Sequence, residues 1–224
     1  MEIQRIYHRE TAFHPLAFAE MYRFITGRRP ARTDIAPETG VVLNGKVNAM
    51  PGGVPTNLPV AGARVEVYQV SAATGARLGT AAHEKITGSD GLWGPFSARP
   101  DAWYEFVITV PGQAITHIYR SPFPRSSDIV HLRPANLARG DAAAGSVVMI
   151  NRPRGYFGQG RDTFLLDGQV PAGINPGVPG TSSAKLLLAA GPLRPVPARF
   201  NDESITMQNW PAKDNHISIA EFHY

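Results

Sequence analysis

Cysteine is absent from the 224 residues of this chain. That absence excludes disulfide bonds, thiolate metal ligands and a cysteine nucleophile, since each requires a thiol. No apolar run reaches the ~20 residues that a membrane-spanning helix needs, so we expect no membrane span. The segment MEIQRIYHRE at the start lacks a positively charged part followed by an apolar core, and no signal peptide is expected. These absences leave the cellular compartment open.

Charge of one sign is not concentrated anywhere along the chain. The net charge is +4, and only Arg28, Arg29 and Arg32 lie close together. A surface that follows a nucleic-acid backbone needs clustered cations, so we expect no nucleic-acid partner.

Oxygen ligands at 202–203 and 214–216 suit either a Ca²⁺ site or solvated turns. We predict no metal and no cofactor.

Glycine and proline are abundant, with 22 and 20 residues. Together they exceed the roughly 12% of an average protein, which favours many short strands joined by tight turns over helices. In Arg64–Val70 the apolar residues fall on every second position, the period of a half-buried strand. The sequence therefore predicts a mainly β protein with two small antiparallel β-sandwich modules preceded by one short α-helix.

Three segments are predicted along the chain. Residues 1–39 form a helical lead and a linker, residues 40–124 a first β-sandwich, and residues 128–224 a second β-sandwich. The candidate strands of the two modules are 41–47, 63–70, 103–110, 146–150, 163–166, 184–189, 196–200, 205–208 and 217–222.

The helix is predicted to begin at Pro15 and to end before Gly27. Proline fits the first helical position because its missing N–H costs nothing there, and glycine suits the residue that follows a helix. Residues at the spacing i, i+3, i+4 and i+7 form one apolar stripe on it: Phe18, Met21, Tyr22 and Ile25. So short and apolar a helix must dock on another body. We expect that body to be the first sandwich, a catalytic core outside this segment, or a second copy of the chain.

His8-Arg9-Glu10, followed by FAEMYRFITG at 18–27, resembles the end of the catalytic domain of a lipase-type α/β-hydrolase. The resemblance implies that a last strand delivers a catalytic histidine and that the last helix packs back on the sheet. His8 would then be the general base, and it is the only member of a catalytic triad that the resemblance transfers. A β-sandwich appendage follows in some bacterial lipases of this type, which implies a secreted or periplasmic location.

The chain departs from that family because G-x-S-x-G, the turn that carries the nucleophile, occurs nowhere in it. The nearest string, GTSSA at 180–184, follows a Pro/Gly-rich loop and ends in alanine. The seven residues before His8 cannot hold the roughly 200 residues of a hydrolase core. We therefore expect no ester hydrolysis by the chain alone.

Three motifs of the first module, NGKV at 44–47, PVAGARVEV at 59–67 and DGLWGPF at 90–96, resemble a carboxypeptidase-regulatory, transthyretin-like module. That resemblance implies a fold rather than an activity, since such modules serve as spacers, stabilisers and adhesion units.

Trp93, Trp103 and Trp210 are candidates for a flat surface that binds a sugar or polymer chain. In WYEF at 103–106, neighbouring side chains face opposite sides of the strand, so one aromatic ring is expected to be exposed. Packing in the core is the alternative for all three.

Three functions stay open. The leading interpretation is a non-catalytic accessory region related to lipase- or esterase-type hydrolases, which serves packing, oligomerisation or substrate attachment. The first alternative is a part of a serine ester hydrolase whose nucleophile lies on another segment, with His8 as general base. The second is a carbohydrate- or polyester-binding module.

Overall fold

The structure, a computed structural model, describes residues 6–176 and 180–223, so the first five residues of the lead lie outside it. The chain is mainly β, as predicted. Its strands are, in chain order, β1 (Val41–Leu43), β2 (Arg64–Val70), β3 (His83–Ile86), β4 (Phe96–Ala98), β5 (Trp103–Thr109), β6 (Ile115–Arg120), β7 (Ser146–Asn151), β8 (Phe164–Leu166), β9 (Ser183–Leu188), β10 (Pro195–Phe200), β11 (Glu203–Gln208) and β12 (His216–Glu221). Each candidate strand from the sequence corresponds to one of these.

Helix α1 spans Pro15–Thr26 and confirms the predicted ends. Its first turn is capped by His14, whose Nδ1 accepts a hydrogen bond from the amide of Leu16 at 3.2 Å. Gly27 ends it in the left-handed region at φ 73°, and its amide donates to the carbonyl of Arg23. A 3₁₀ turn, His8–Ala12, precedes the helix. Nothing helical in the described ranges is both long and apolar enough to cross a bilayer.

One seven-stranded sheet contains strands from both halves of the chain, in the order β3-β2-β5-β6-β12-β7-β9. Two parallel pairings, β6 with β12 and β12 with β7, interrupt the antiparallel pattern that the sequence predicts. Parallel neighbours need a long connection, and the residues between β6 and β12 provide one. The module boundary near 124–128 stays a prediction, but β12 joins the strands on its two sides.

Of three hydrophobic cores among the described residues, the two largest lie on opposite faces of this sheet. Ile118 belongs to the first core, which is closed by the β1–β4 pair, and the adjacent Tyr119 belongs to the second. Successive side chains on a strand point to opposite faces, so β6 contributes to both cores. The second core is closed by the three-stranded sheet β11-β10-β8.

Candidate functional site

His8, the residue that resembles a catalytic base, lies exposed in the 3₁₀ turn before α1. Within residues 6–176 and 180–223, its imidazole has neither a hydrogen-bond nor an ion-pair partner. A triad base is oriented by an acidic group and contacts a nucleophile. The described residues bring neither to His8, and its role as a general base stays a prediction.

Glu10, two residues further on, anchors the lead to the second half of the chain. Its Oε1 lies 2.8 Å from Nη2 of Arg161 and 3.2 Å from Nη2 of Arg152. The Arg161 guanidinium also lies over the ring of Tyr7, 3.6 Å from its centroid. Burial alone would raise the pKa of the Glu10 carboxyl, but the hydrogen bonds from Arg161 and from the Tyr7 amide outweigh burial and lower the pKa to about 2. The carboxylate is thus ionised and holds the lead in place.

Helix α1 is apolar but remains largely exposed. Of its twelve residues only Ala17 is buried. Phe24 and Ile25 are 92% and 78% exposed, while Phe18 and Met21 are about half exposed at 44% and 50%. A helix that is apolar on several sides is normally covered by protein or lipid. The described part of the chain provides no such cover for Phe24 and Ile25.

A groove separates the lead from the β body. Its larger part, which we call the apolar pocket, has a volume of about 580 Å³. The Glu10–Arg152 ion pair lines part of it. Its larger apolar lining side chains are Phe13, Phe18, Met21, Ile35 and Phe222. Arg154 and His223 also line it, and the same two residues line a second pocket of about 250 Å³. The two pockets therefore adjoin, and we call them together the groove.

The second pocket, which we call the basic pocket, is lined by Arg120, Arg133, Arg154 and His223 together with one carboxylate, Glu221. Arg120 donates from Nη2 to Glu221, and Nε2 of His223 lies 3.2 Å from the same carboxylate. Burial alone would raise the pKa of the Glu221 carboxyl, but the charge of Arg120 and the hydrogen bond from His223 outweigh burial and lower the pKa to about 2. Burial and the nearby charge of Arg120 lower the pKa of His223.

Glu105 is the centre of a buried network on the shared sheet. Side chains that approach its carboxylate are Arg77 at 2.6 Å, His117 at 2.7 Å, Tyr119 at 2.9 Å and Trp210 at 3.2 Å. Burial alone would raise the pKa of Glu105, but the hydrogen bonds from His117 and Arg77 lower it. The network joins β5 and β6 to the segment before β12.

His117 also contacts His216 on β12, with 2.7 Å between Nε2 and Nδ1. The carboxylate at its Nδ1 favours the tautomer protonated there, so its Nε2 accepts from His216. In the described chain no hydroxyl group hydrogen-bonds to either imidazole, and no three His, Asp or Glu side chains are grouped as metal ligands. The geometry is that of a structural link between strands.

The three candidate tryptophans lie in different surroundings. Trp93 is fully buried in the first core, where its Nε1 donates to the carbonyl of Val130 at 2.8 Å. Its ring therefore offers no face to a polymer chain. Trp210 stacks on His117 with 4.7 Å between ring centroids, and half-buried Trp103 packs against the second core. A binding role for Trp103 and Trp210 stays a prediction.

Sequence reasoning missed the Glu105 network and the part of Arg120 and Arg133 in the basic pocket. A usable signal was present in β6, where the ionisable His117 and Arg120 stand beside Ile118 and Tyr119. Charged residues are rarely buried unless they are paired, so such residues inside a core strand indicate partners elsewhere in the chain. The identity of those partners requires the fold.

Comparison with known proteins gives one family match, over part of the chain. Residues 39–137 match the family model described as the lipase C-terminal domain. The matched range contains β1 to β6 and supports a lipase-related C-terminal domain. No curated protein matches the sequence.

One solved structure with some likeness is a fimbrial protein from Bacteroides ovatus. It aligns at 10% identity with a TM-score of 0.22, and the alignment covers 85% of this chain. The chain spans about half the length of that protein, 51% of it. A TM-score this low does not establish a common fold.

Proposed function

We propose that this chain is a non-catalytic accessory region of a lipase-type hydrolase that docks on the catalytic domain through α1. The match of residues 39–137 to the lipase C-terminal domain supports the relationship. The lack of G-x-S-x-G and the isolation of His8 among the described residues support the absence of catalysis.

The observation that carries the docking role is the exposed apolar surface of α1. Leu16, Phe24 and Ile25 are 54%, 92% and 78% exposed. Burial of a large apolar side chain contributes about 1.5–3 kcal/mol relative to its exposure. A catalytic domain that covers these three side chains would gain several kcal/mol from their burial.

A photo-crosslinking residue at position 24, p-benzoylphenylalanine, tests this role in the cells that make the protein. We expect an adduct with a segment that carries a serine-hydrolase G-x-S-x-G turn, identified by mass spectrometry. The same residue at position 78 is the control, because Leu78 is also exposed, at 61%, but lies outside the helix. An adduct with a second copy of the chain would instead support oligomerisation. Absence of any helix-specific adduct would contradict the docking role.

The first alternative, in which His8 serves as general base, is supported by its exposure beside α1, the place that the resemblance gives to a catalytic histidine. If it is right, His8→Ala abolishes ester hydrolysis by the chain joined to its hydrolase domain. Activity that is indifferent to His8→Ala removes this alternative.

The polymer-binding alternative is tested by pull-down on insoluble polysaccharide and polyester, with Trp103→Ala as the control variant.

A further inference from the structure

The basic pocket holds more positive than negative charge. Arg120, Arg133 and Arg154 line it, and Glu221 is its one carboxylate among the described residues. Arg120 pairs with Glu221, whereas Arg133 and Arg154 have no ion pair within the described ranges. Like charges that share a partly buried site repel one another more strongly than in water. The pocket is therefore suited to a further negative group.

Hydrogen-bond donors of two arginines that line the pocket also lack a partner, although the donor atoms themselves are buried. Arg120 is only 2% exposed, yet its Nε and Nη1 atoms have no partner among the described residues, and the same is true of the buried Nε of Arg133. An unsatisfied buried donor is unfavourable, and more so when it is charged. Guanidinium groups form paired hydrogen bonds with carboxylate and phosphate oxygens. An oxyanion fits the charge of the pocket, whose Arg133 and Arg154 are partly exposed.

The groove also indicates what the oxyanion is attached to. Arg154 and His223 line both pockets, and the Arg154 guanidinium lies 5.0 Å from the ring centroid of Phe13. Beyond them the wall is formed by apolar side chains such as Phe18 and Met21 and, in part, by the Glu10–Arg152 ion pair. A pocket of about 580 Å³ has the size of a typical small-molecule site.

From these features we infer that the groove binds an amphiphilic oxyanion, with a carboxylate or phosphate head in the basic pocket and an apolar tail along the apolar pocket. This inference goes beyond the proposed accessory role and does not depend on it. The ligand is tested on this chain alone, and the outer residues Phe24 and Ile25 do not line the groove.

Isothermal titration calorimetry at constant ionic strength tests the inference with four ligands: octanoate, octyl phosphate, acetate and inorganic phosphate. We expect saturable one-to-one binding of at least one octyl compound, at least tenfold tighter than its head group alone. Either octyl compound supports the inference, and the tighter one identifies the head. Phe18→Ser is expected to weaken binding of the octyl compound and to leave that of its head group unchanged.

Arg133→Gln and Arg154→Gln test the head site. Each is expected to weaken binding about tenfold or more, the effect of losing a charge-assisted hydrogen bond. Arg139→Gln removes the same charge at an exposed position outside the pocket and is expected to bind as the wild type does. Thermal unfolding of each variant shows whether it is folded. The inference is wrong if neither octyl compound binds saturably, if octyl compounds bind no tighter than their heads, or if both folded arginine variants bind as Arg139→Gln does.

Discussion

At the scale of single residues, the clearest feature is a carboxylate that gathers donors from distant parts of the chain. Glu105 has no exposed surface and is approached by Arg77, His117, Tyr119 and Trp210. Removal of one member from a buried charged pair leaves the other charge buried without compensation, which is strongly unfavourable. The network therefore contributes to the stability of the sheet while Glu105 is charged.

Glu105→Gln is expected to lower the free energy of unfolding by about 3 kcal/mol, because Arg77 loses its counterion. Glu84→Gln is the matched control, since Glu84 forms an exposed pair with Arg64 and should cost less than about 1 kcal/mol. Urea denaturation measures both. Equal, small losses in the two variants would show that the network contributes little.

Glu10 gives the chain a defined dependence on pH. Its pKa is lowered from the usual 4.5 to about 2, so the folded state binds fewer protons than the unfolded state between those values. Stability from its bonds to Arg152 and Arg161 is fully present above pH 4.5 and is lost as the pH falls through 2. We expect Glu10→Gln to lower the melting temperature near neutral pH and to match the wild type near pH 2. A difference that stays constant over this range would contradict the assignment.

The structural role of a residue could be predicted where it depends only on neighbours in sequence. Pro15 and Gly27 define the ends of α1 because helix termination is a local property. Glu105 and Trp210 lie 105 residues apart, and no periodicity connects them. The partners of a buried charge are set by strand pairing, so the sequence could indicate the charge but not its network.

At the scale of secondary-structure elements, α1 shows which of its properties the local sequence determines and which depend on the rest of the fold. Its apolar stripe was evident in the sequence, whereas its exposure was not, because a hydrophobic pattern does not say which body covers it. The pairing of β12 is a similar case. Its alternating pattern predicted a strand, but its parallel position between β6 and β7 depends on contacts far apart in the chain.

The exposure of α1 predicts a contrast between two isoleucine substitutions. Ile25→Ala is expected to change the free energy of unfolding by less than about 0.5 kcal/mol, because Ile25 is 78% exposed. Ile217→Ala in β12 is expected to cost about 3 kcal/mol, because Ile217 is 2% exposed and leaves a cavity. Chemical denaturation checks both. A loss at Ile25 as large as that at Ile217 would mean that the helix packs within this chain.

At the scale of the whole molecule, the seven-stranded sheet connects parts that look separable in the sequence. The first core contains Trp93 and the second contains Phe200, and strands of one sheet border both. Disruption of β12 would expose an edge of β6 and of β7 at once. The two halves are thus expected to lose their structure together.

Coincident unfolding of the two cores tests this coupling. Trp93 fluorescence, in a variant with the other two tryptophans replaced by phenylalanine, reports on the first core. A fluorine label on Phe200 reports on the second through its NMR signal. We expect one urea midpoint for both signals, as in a two-state transition. Two separate midpoints would show that the halves fold independently.

The accessory role is tested most directly by the rate at which the purified chain hydrolyses p-nitrophenyl octanoate, with and without a serine-reactive organophosphate. The lack of a nucleophile turn and the solitary position of His8 in the described structure predict a rate no higher than that of buffer, unaffected by the inhibitor. Turnover that rises with protein concentration and is abolished by the organophosphate would contradict a non-catalytic role.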